Sequence, residues 1–171
     1  MNHAKQGSAF LFGFILLLLS LLPLSCNSKS EKVALGRKAP NFTYLDLNNE
    51  MRELKDFKGK VIFLRFWADW CPYCDVEMPI IDRVYNEMRD KGFVVLAVNV
   101  KQSAATAKAY TQKLKLSYPI ALDQKGEISE QYSVRGIPMN FLINREGVLK
   151  DLLVGDISDE SMLKNFLKPY M

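Results

Sequence analysis

Cys71-Pro72-Tyr73-Cys74 stands where a strand turns into a helix. Upstream, Val61 to Trp67 (VIFLRFW) is an apolar run of strand length with one charge, Arg65. Downstream from Asp75, Val76, Ile80, Ile81, Val84, Tyr85 and Met88 recur at helical spacing. Such a junction puts the first cysteine at a helix N-terminus, where unpaired N–H groups and the helix dipole favour an anion. A thiolate is such an anion, and it is the nucleophile of disulfide exchange. The second cysteine, one turn on, can close a four-residue disulfide.

Two other uses of a CxxC fit poorly. Zinc needs four ligands, and the remaining donors of that class are Cys26 and the single histidine, His3. Both lie in an N-terminal segment outside the fold, so no metal and no cofactor are expected. A purely structural disulfide closing so short a loop adds little chain-entropy stabilisation. A redox-active Cys71–Cys74 pair remains.

Residues 1–26 read as an export signal. Lys5 charges a short polar start, Ala9 to Leu22 is apolar apart from Gly13 and Ser20, and Leu24-Ser25-Cys26 follows. The cysteine after Leu24-Ser25 resembles a bacterial lipoprotein box, which makes Cys26 the expected lipidation site. The family usually has Leu three places before the cysteine, whereas Pro23 stands there. An uncleaved anchor is the alternative, since the apolar stretch is only slightly short for a span. On either reading the protein attaches to the membrane through its N-terminus, by lipid or anchor. Its domain then faces the extracytoplasmic (periplasmic) side of a bacterial membrane. Residues 27–34 form a polar tether by composition, and residues 35–171 suffice for one domain.

With 23 Lys and Arg against 19 Asp and Glu, the net charge is +4, and +3 without Lys5. That is too mild to argue for nucleic acid. Only two cysteines belong to the domain, so it is no disulfide-stapled scaffold. A monomer is expected.

Alternation predicts a strand over 41–47, a turn at 48–50, a return strand at 51–54 and a loop at 56–60. Strand 61–67 and the cysteine helix follow, with Pro79 kinking the helix and Gly92 as its left-handed cap. Residues 93–100 read as a central strand covered on both faces. Residues 103–116 read as a helix whose Lys108, Lys113 and Lys115 are solvated. A short strand at 119–122, a helix at 127–132, a hairpin of 140–144 with 148–154, and a closing helix at 159–170 complete the chain. The fold class is α/β. Alternation makes a parallel centre and the late hairpin an antiparallel edge.

Phe66-Trp67-Ala68-Asp69-Trp70-Cys71-Pro72-Tyr73-Cys74 resembles the thioredoxin active-site signature, and Arg135-Gly136-Ile137-Pro138 resembles that family's cis-proline loop. The N-terminal hairpin, Glu77-Met78-Pro79, the inserted strand and helix at 94–116 and the export signal are similar to extracytoplasmic TlpA/ResA-like thiol–disulfide oxidoreductases. The resemblance implies a thioredoxin-like fold: a central mixed sheet flanked by helices, with an N-terminal β-hairpin and an inserted strand-helix. It implies reduction of disulfides in exported protein substrates, apocytochrome c among them, with a membrane thiol–disulfide carrier as electron donor. It also implies a cis Ile137–Pro138 bond beside the disulfide. Trp70, Pro72, Tyr73, Ile137 and Pro138 become the expected substrate-binding positions, with Trp67 in the core.

By position, Cys71 at the helix end is expected to be the more exposed sulfur and to attack, and Cys74 to resolve. Glu77, three residues on, shares Cys74's helical face, and the resemblance gives it proton transfer at the cysteines. Two departures stand out. Cytoplasmic thioredoxins carry a buried Asp where this chain has Arg65, which cannot be a base; the pattern leaves open whether Arg65 is buried. The residue after the proline is commonly Thr, and here it is Met139. A peroxiredoxin-like peroxidase is the second reading, but it needs a Thr-x-x-Cys arrangement with arginine support, and Asp69-Trp70-Cys71 lacks the Thr. A non-catalytic binding module is the third, and an intact CxxC argues against it. Copper delivery would need a distal histidine, which the domain lacks.

Overall fold

A computed structural model describes residues 33–154 and 156–171. The expected signal, Cys26 and tether residues 27–32 lie outside the described residues. Strand β1 (Thr43–Leu45) pairs antiparallel with β2 (Met51–Glu53). The hairpin is shorter than its alternating pattern, and Leu54–Phe57 forms a 3-10 turn where a return strand and loop were expected.

Strand β3 (Val61–Trp67) is buried along its whole length, Arg65 included. Helix α1 (Cys74–Met88) follows and runs through Pro79, whose ring removes one backbone hydrogen bond. A 3-10 turn then leads to Gly92, whose φ of 88° is the left-handed cap the sequence predicts. A Cβ there would also meet the Arg145 guanidinium at 2.7 Å.

Strand β4 (Phe93–Val100) leads to α2 (Ala104–Lys113), capped by Ser103, whose hydroxyl accepts from Thr106 N at 3.1 Å. The helix is shorter than its periodic pattern because Lys115 adopts a positive φ of 54°. Strand β5 (Ile120–Asp123), helix α3 (Glu127–Gln131), strands β6 (Met139–Ile143) and β7 (Leu149–Leu153) and helix α4 (Glu160–Leu167) complete the order. The closing helix is four residues shorter than expected: Asp159 is its cap, and the last turn, Lys168–Tyr170, is 3-10.

Among the described residues seven strands form one sheet, in the order β2-β1-β5-β4-β3-β6-β7. Strands β5, β4 and β3 are parallel; β6, β7 and the N-terminal hairpin are antiparallel additions at the two sides. Successive side chains of a strand point to opposite faces. Ile62, Leu64 and Phe66 pack with Phe42, Tyr44, Ile128, Tyr132 and Phe141 on one face. Val61, Phe63 and Trp67 pack on the other with Cys74, Met78, Ile81 and Leu163. Arg65, between Phe63 and Trp67 in this alternation, therefore points toward α1.

Candidate active site

The two cysteines sit at the C-terminal end of β3, where a turn converts strand into helix. Cys71 N donates to Ala68 O at 3.2 Å, and Cys74 N donates to Cys71 O at 3.1 Å. Cys74 is the first residue of α1, so the helix begins at the second cysteine rather than the first. Cys71 and Cys74 form a disulfide with Cα atoms 5.4 Å apart. The preceding loop is braced from β4 and its exit: Asp69 N donates to Gln102 Oε1 at 2.9 Å, Gln102 Nε2 donates to Asp69 Oδ1, and Asn99 Nδ2 donates to Gln102 Oε1 at 2.8 Å.

Position predicts Cys71 to be the more exposed sulfur, but in the oxidised protein both cysteines are buried. Cys71 is 1% exposed and Cys74 0%. Both belong to the apolar cluster containing Trp67, Met78 and Tyr110, so burial does not distinguish them. Their polar surroundings do. Arg65 Nη2 lies 3.6 Å from Cys74 Sγ. The same nitrogen donates to Glu77 Oε2 at 2.6 Å, and Nη1 donates to Asn140 Oδ1 at 2.9 Å. Glu77 Oε1 accepts from Ile157 N at 3.0 Å, and Asn140 Nδ2 donates to Leu153 O at 3.1 Å. A fully buried ion pair thus lies beneath the disulfide on the side of Cys74.

This network follows from local periods. Arg65 and Asn140 are direct partners in the β3–β6 register and share the α1 face of the sheet. Cys74 and Glu77 lie on the inward stripe of α1. Glu77 is therefore where its helical spacing puts it, while Arg65 and Asn140 are site residues the sequence reading did not assign. The signal was the strand itself: a run buried on both faces leaves no solvent side for its one arginine.

Exposed apolar side chains flank the two cysteines in the chain, with Asp69 and Asp75 exposed among them. Trp70, Tyr73 and Val76 are 67%, 52% and 66% exposed, and Pro72 is exposed with them. The Ile137–Pro138 bond is cis. Met139 pairs with Phe66, so Pro138 lies abreast of Trp67, at the cysteine end of β3. Both loop residues are half-buried, and Ile137 packs against the cluster that holds the cysteines. Trp67 is buried and stacks on Tyr110 with ring centres 5.0 Å apart. Burial first, and the Asp75 carboxylate second, hold the Tyr110 phenol above its usual range, so it stays protonated. Among the described residues no cluster of three or more His, Cys, Asp or Glu could hold a metal ion.

Residues 35–152 match the AhpC/TSA family. The thiol-disulfide oxidoreductase ResA of Bacillus cereus is 38% identical over 141 residues, covering 82% of this chain and 81% of the relative. The chain belongs to the ResA-like thiol–disulfide oxidoreductases. A ResA of Geobacillus thermodenitrificans matches at 33% identity over 173 residues, covering 96% of this chain and 99% of its own. The solved structure of a thiol:disulfide interchange protein from Bacteroides sp. superposes with a TM-score of 0.71 at 28% identity, covering 81% of this chain and 90% of that one. The family and the site agree on a thioredoxin-like fold and a protein-disulfide oxidoreductase. A peroxidase built on the attacking sulfur would want arginine support there; Arg65, the one buried arginine among the described residues, bonds Cys74 instead.

Proposed function

We propose that the domain is a membrane-tethered, extracytoplasmic reductase of disulfides in exported proteins, apocytochrome c among them, recharged by a membrane thiol–disulfide carrier. The observation that carries the reading is the buried Cys71–Cys74 pair with the exposed apolar side chains of Trp70, Tyr73 and Val76 around it in the chain. Exposed side chains of that kind suit an extended, partly unfolded polypeptide better than a small oxidant. The export signal and Cys26 support the location; among the described residues no helix is long and apolar enough to cross a membrane.

In the reduced protein the Cys71 thiolate attacks one sulfur of the substrate disulfide. A mixed disulfide forms, and the other substrate sulfur leaves as a thiolate that takes a proton from solvent. Cys74, as thiolate, then attacks Cys71 Sγ. The enzyme disulfide forms, the second substrate sulfur leaves, and two electrons have passed from enzyme to substrate. Trp70, Pro72, Tyr73, Ile137 and Pro138 line the approach.

The test is trapping in cells. Cys74→Ser removes the resolving sulfur, so covalent adducts through Cys71 accumulate and mass spectrometry names the substrates. Exported proteins bearing CxxC pairs are expected. Adducts confined to cytoplasmic proteins, or trapping through Cys74 in a Cys71→Ser chain alone, would contradict the proposal. Cys26→Ser is expected to abolish lipid labelling; an unlabelled chain that keeps its signal would instead favour the uncleaved anchor.

A further inference from the structure

The Arg65 guanidinium is fully buried and touches three groups: Asn140 Oδ1 at 2.9 Å, Glu77 Oε2 at 2.6 Å and Cys74 Sγ at 3.6 Å. The third contact is weak in the oxidised protein, because a disulfide sulfur is a neutral, poor acceptor. Breaking the disulfide puts a thiol or thiolate at the same place. An anionic sulfur beside a guanidinium in a water-poor interior is strongly favoured over a neutral one. The contact therefore gains strength only in the states where Cys74 is released.

We propose that Arg65 is the charge partner of the resolving sulfur, holding Cys74 as a thiolate in the reduced and mixed-disulfide states while Glu77, on the same guanidinium, moderates that attraction. The inference rests on Cys74 being the resolving cysteine; trapping tests that separately, and the titration below does not depend on it. Arg65 is not a base, since a guanidinium keeps its protons. Both Glu77 oxygens already accept, from Arg65 and from Ile157 N. Cys74 has no solvent exposure through which to lose a proton at the moment of attack. An ionised Cys74 removes that need: the anion attacks Cys71 Sγ, the bond to the substrate sulfur breaks, and the substrate thiolate takes its proton from solvent.

Arg65 comes from β3, Glu77 from α1, and Cys71 from the preceding turn. Tyr110 of α2 and Tyr118 both feel the Arg65 charge, and burial keeps both phenols protonated. Asp75 faces Tyr110 and lies 3.7 Å from Lys113, and Asp69 is tied to Gln102.

The test uses the whole chain carrying Cys71→Ser. Its ultraviolet thiolate absorbance against pH, less that of a Cys71→Ser/Cys74→Ser chain, reads Cys74 alone, with Cys26 and the tyrosines cancelled. The midpoint is expected below the ordinary thiol value of about 8.5. Adding Glu77→Gln is expected to lower it further, because the carboxylate no longer offsets the guanidinium. Adding Arg65→Gln with Glu77→Gln, which leaves no lone buried charge, is expected to raise the parent midpoint by about one unit, a tenfold loss of thiolate. With Cys71 restored, resolution of a preformed mixed disulfide by that double variant should slow at neutral pH and recover as pH rises. A midpoint unmoved in both variants, or one at or above the ordinary value in the parent, would overturn the proposal. Unfolding curves of each variant separate a lost fold from a moved titration.

Discussion

Removing Arg65 alone should damage the fold far more than removing it together with its partner. Arg65 is 0% exposed and its Nη2 lies 2.6 Å from Glu77 Oε2. Arg65→Met would leave the Glu77 carboxylate facing an apolar interior with Ile157 N as its remaining donor. Breaking a buried pair by deleting one partner destabilises by about 3–5 kcal/mol. Losing the donor to Asn140 Oδ1 adds about 1–3 kcal/mol if nothing replaces it. A typical domain is stable by about 5–15 kcal/mol, so the single variant stands near the edge of folding. Glu77→Gln leaves the guanidinium uncompensated and should also destabilise, less severely because Gln keeps an acceptor for Ile157 N. Arg65→Met with Glu77→Gln removes both charges, so the cost of a lone buried charge disappears while the lost donor to Asn140 Oδ1 remains. The double variant should therefore be more stable than the sum of the singles requires, by about 2 kcal/mol or more. Urea unfolding of the oxidised proteins at one pH gives all four corners of the cycle. Additivity within about 0.5 kcal/mol would show that the two charges do not interact, and the account of the site would fail with it.

Trp70 is 67% exposed, so Trp70→Ala should leave unfolding within about 0.5 kcal/mol of the parent, raise KM for a protein disulfide, and spare reduction of a small one; equal loss on both substrates would place Trp70 in the chemistry rather than in docking. Asp159 caps α4, its carboxylate accepting from Met162 N at 2.9 Å, from Ser161 Oγ at 2.7 Å and from Ser158 Oγ at 3.0 Å. These hydrogen bonds, Met162 N first, hold its carboxyl below the ordinary 3.8. Its contribution is thus complete above that value and lost as pH falls through the lower folded one. Asp159→Asn should flatten the acid limb of stability against pH, and unchanged slopes in urea midpoints would refute the assignment. Ser103→Ala, which removes the acceptor for Thr106 N, should cost about 1 kcal/mol; an unchanged midpoint would show the cap to be idle.

Most of the sheet is legible because burial leaves a repeating mark. VIFLRFW reads as an apolar strand and FVVLAVNV as a central strand covered on both faces, and both are buried nearly throughout. Gly92 and Asp159 mark helix ends by chemistry that needs no tertiary context. Element lengths are less legible. Helix α2 stops early at the positive φ of Lys115, a conformation its sequence does not announce. Burial of Cys71 has no local signal either: it depends on the 68–74 turn and on the cluster packed around both sulfurs. Arg65 is the instructive case. Alternation along β3 groups it with Phe63 and Trp67, and helical spacing groups Cys74 with Glu77. Only the packing of one element on the other brings those two pairs together, and no single period contains it.

The reduction potential of the Cys71–Cys74 pair tests the reductase reading most directly. Stabilising a Cys74 thiolate favours the dithiol and raises the potential, yet a reductase of exported proteins must remain a stronger reductant than its substrates. Equilibration of the whole chain against redox buffers of defined composition is expected to give a value on the reducing side, nearer the about −270 mV of thioredoxin than the about −120 mV of a strong oxidant. A value close to the latter would make the protein a donor of disulfides and contradict the account.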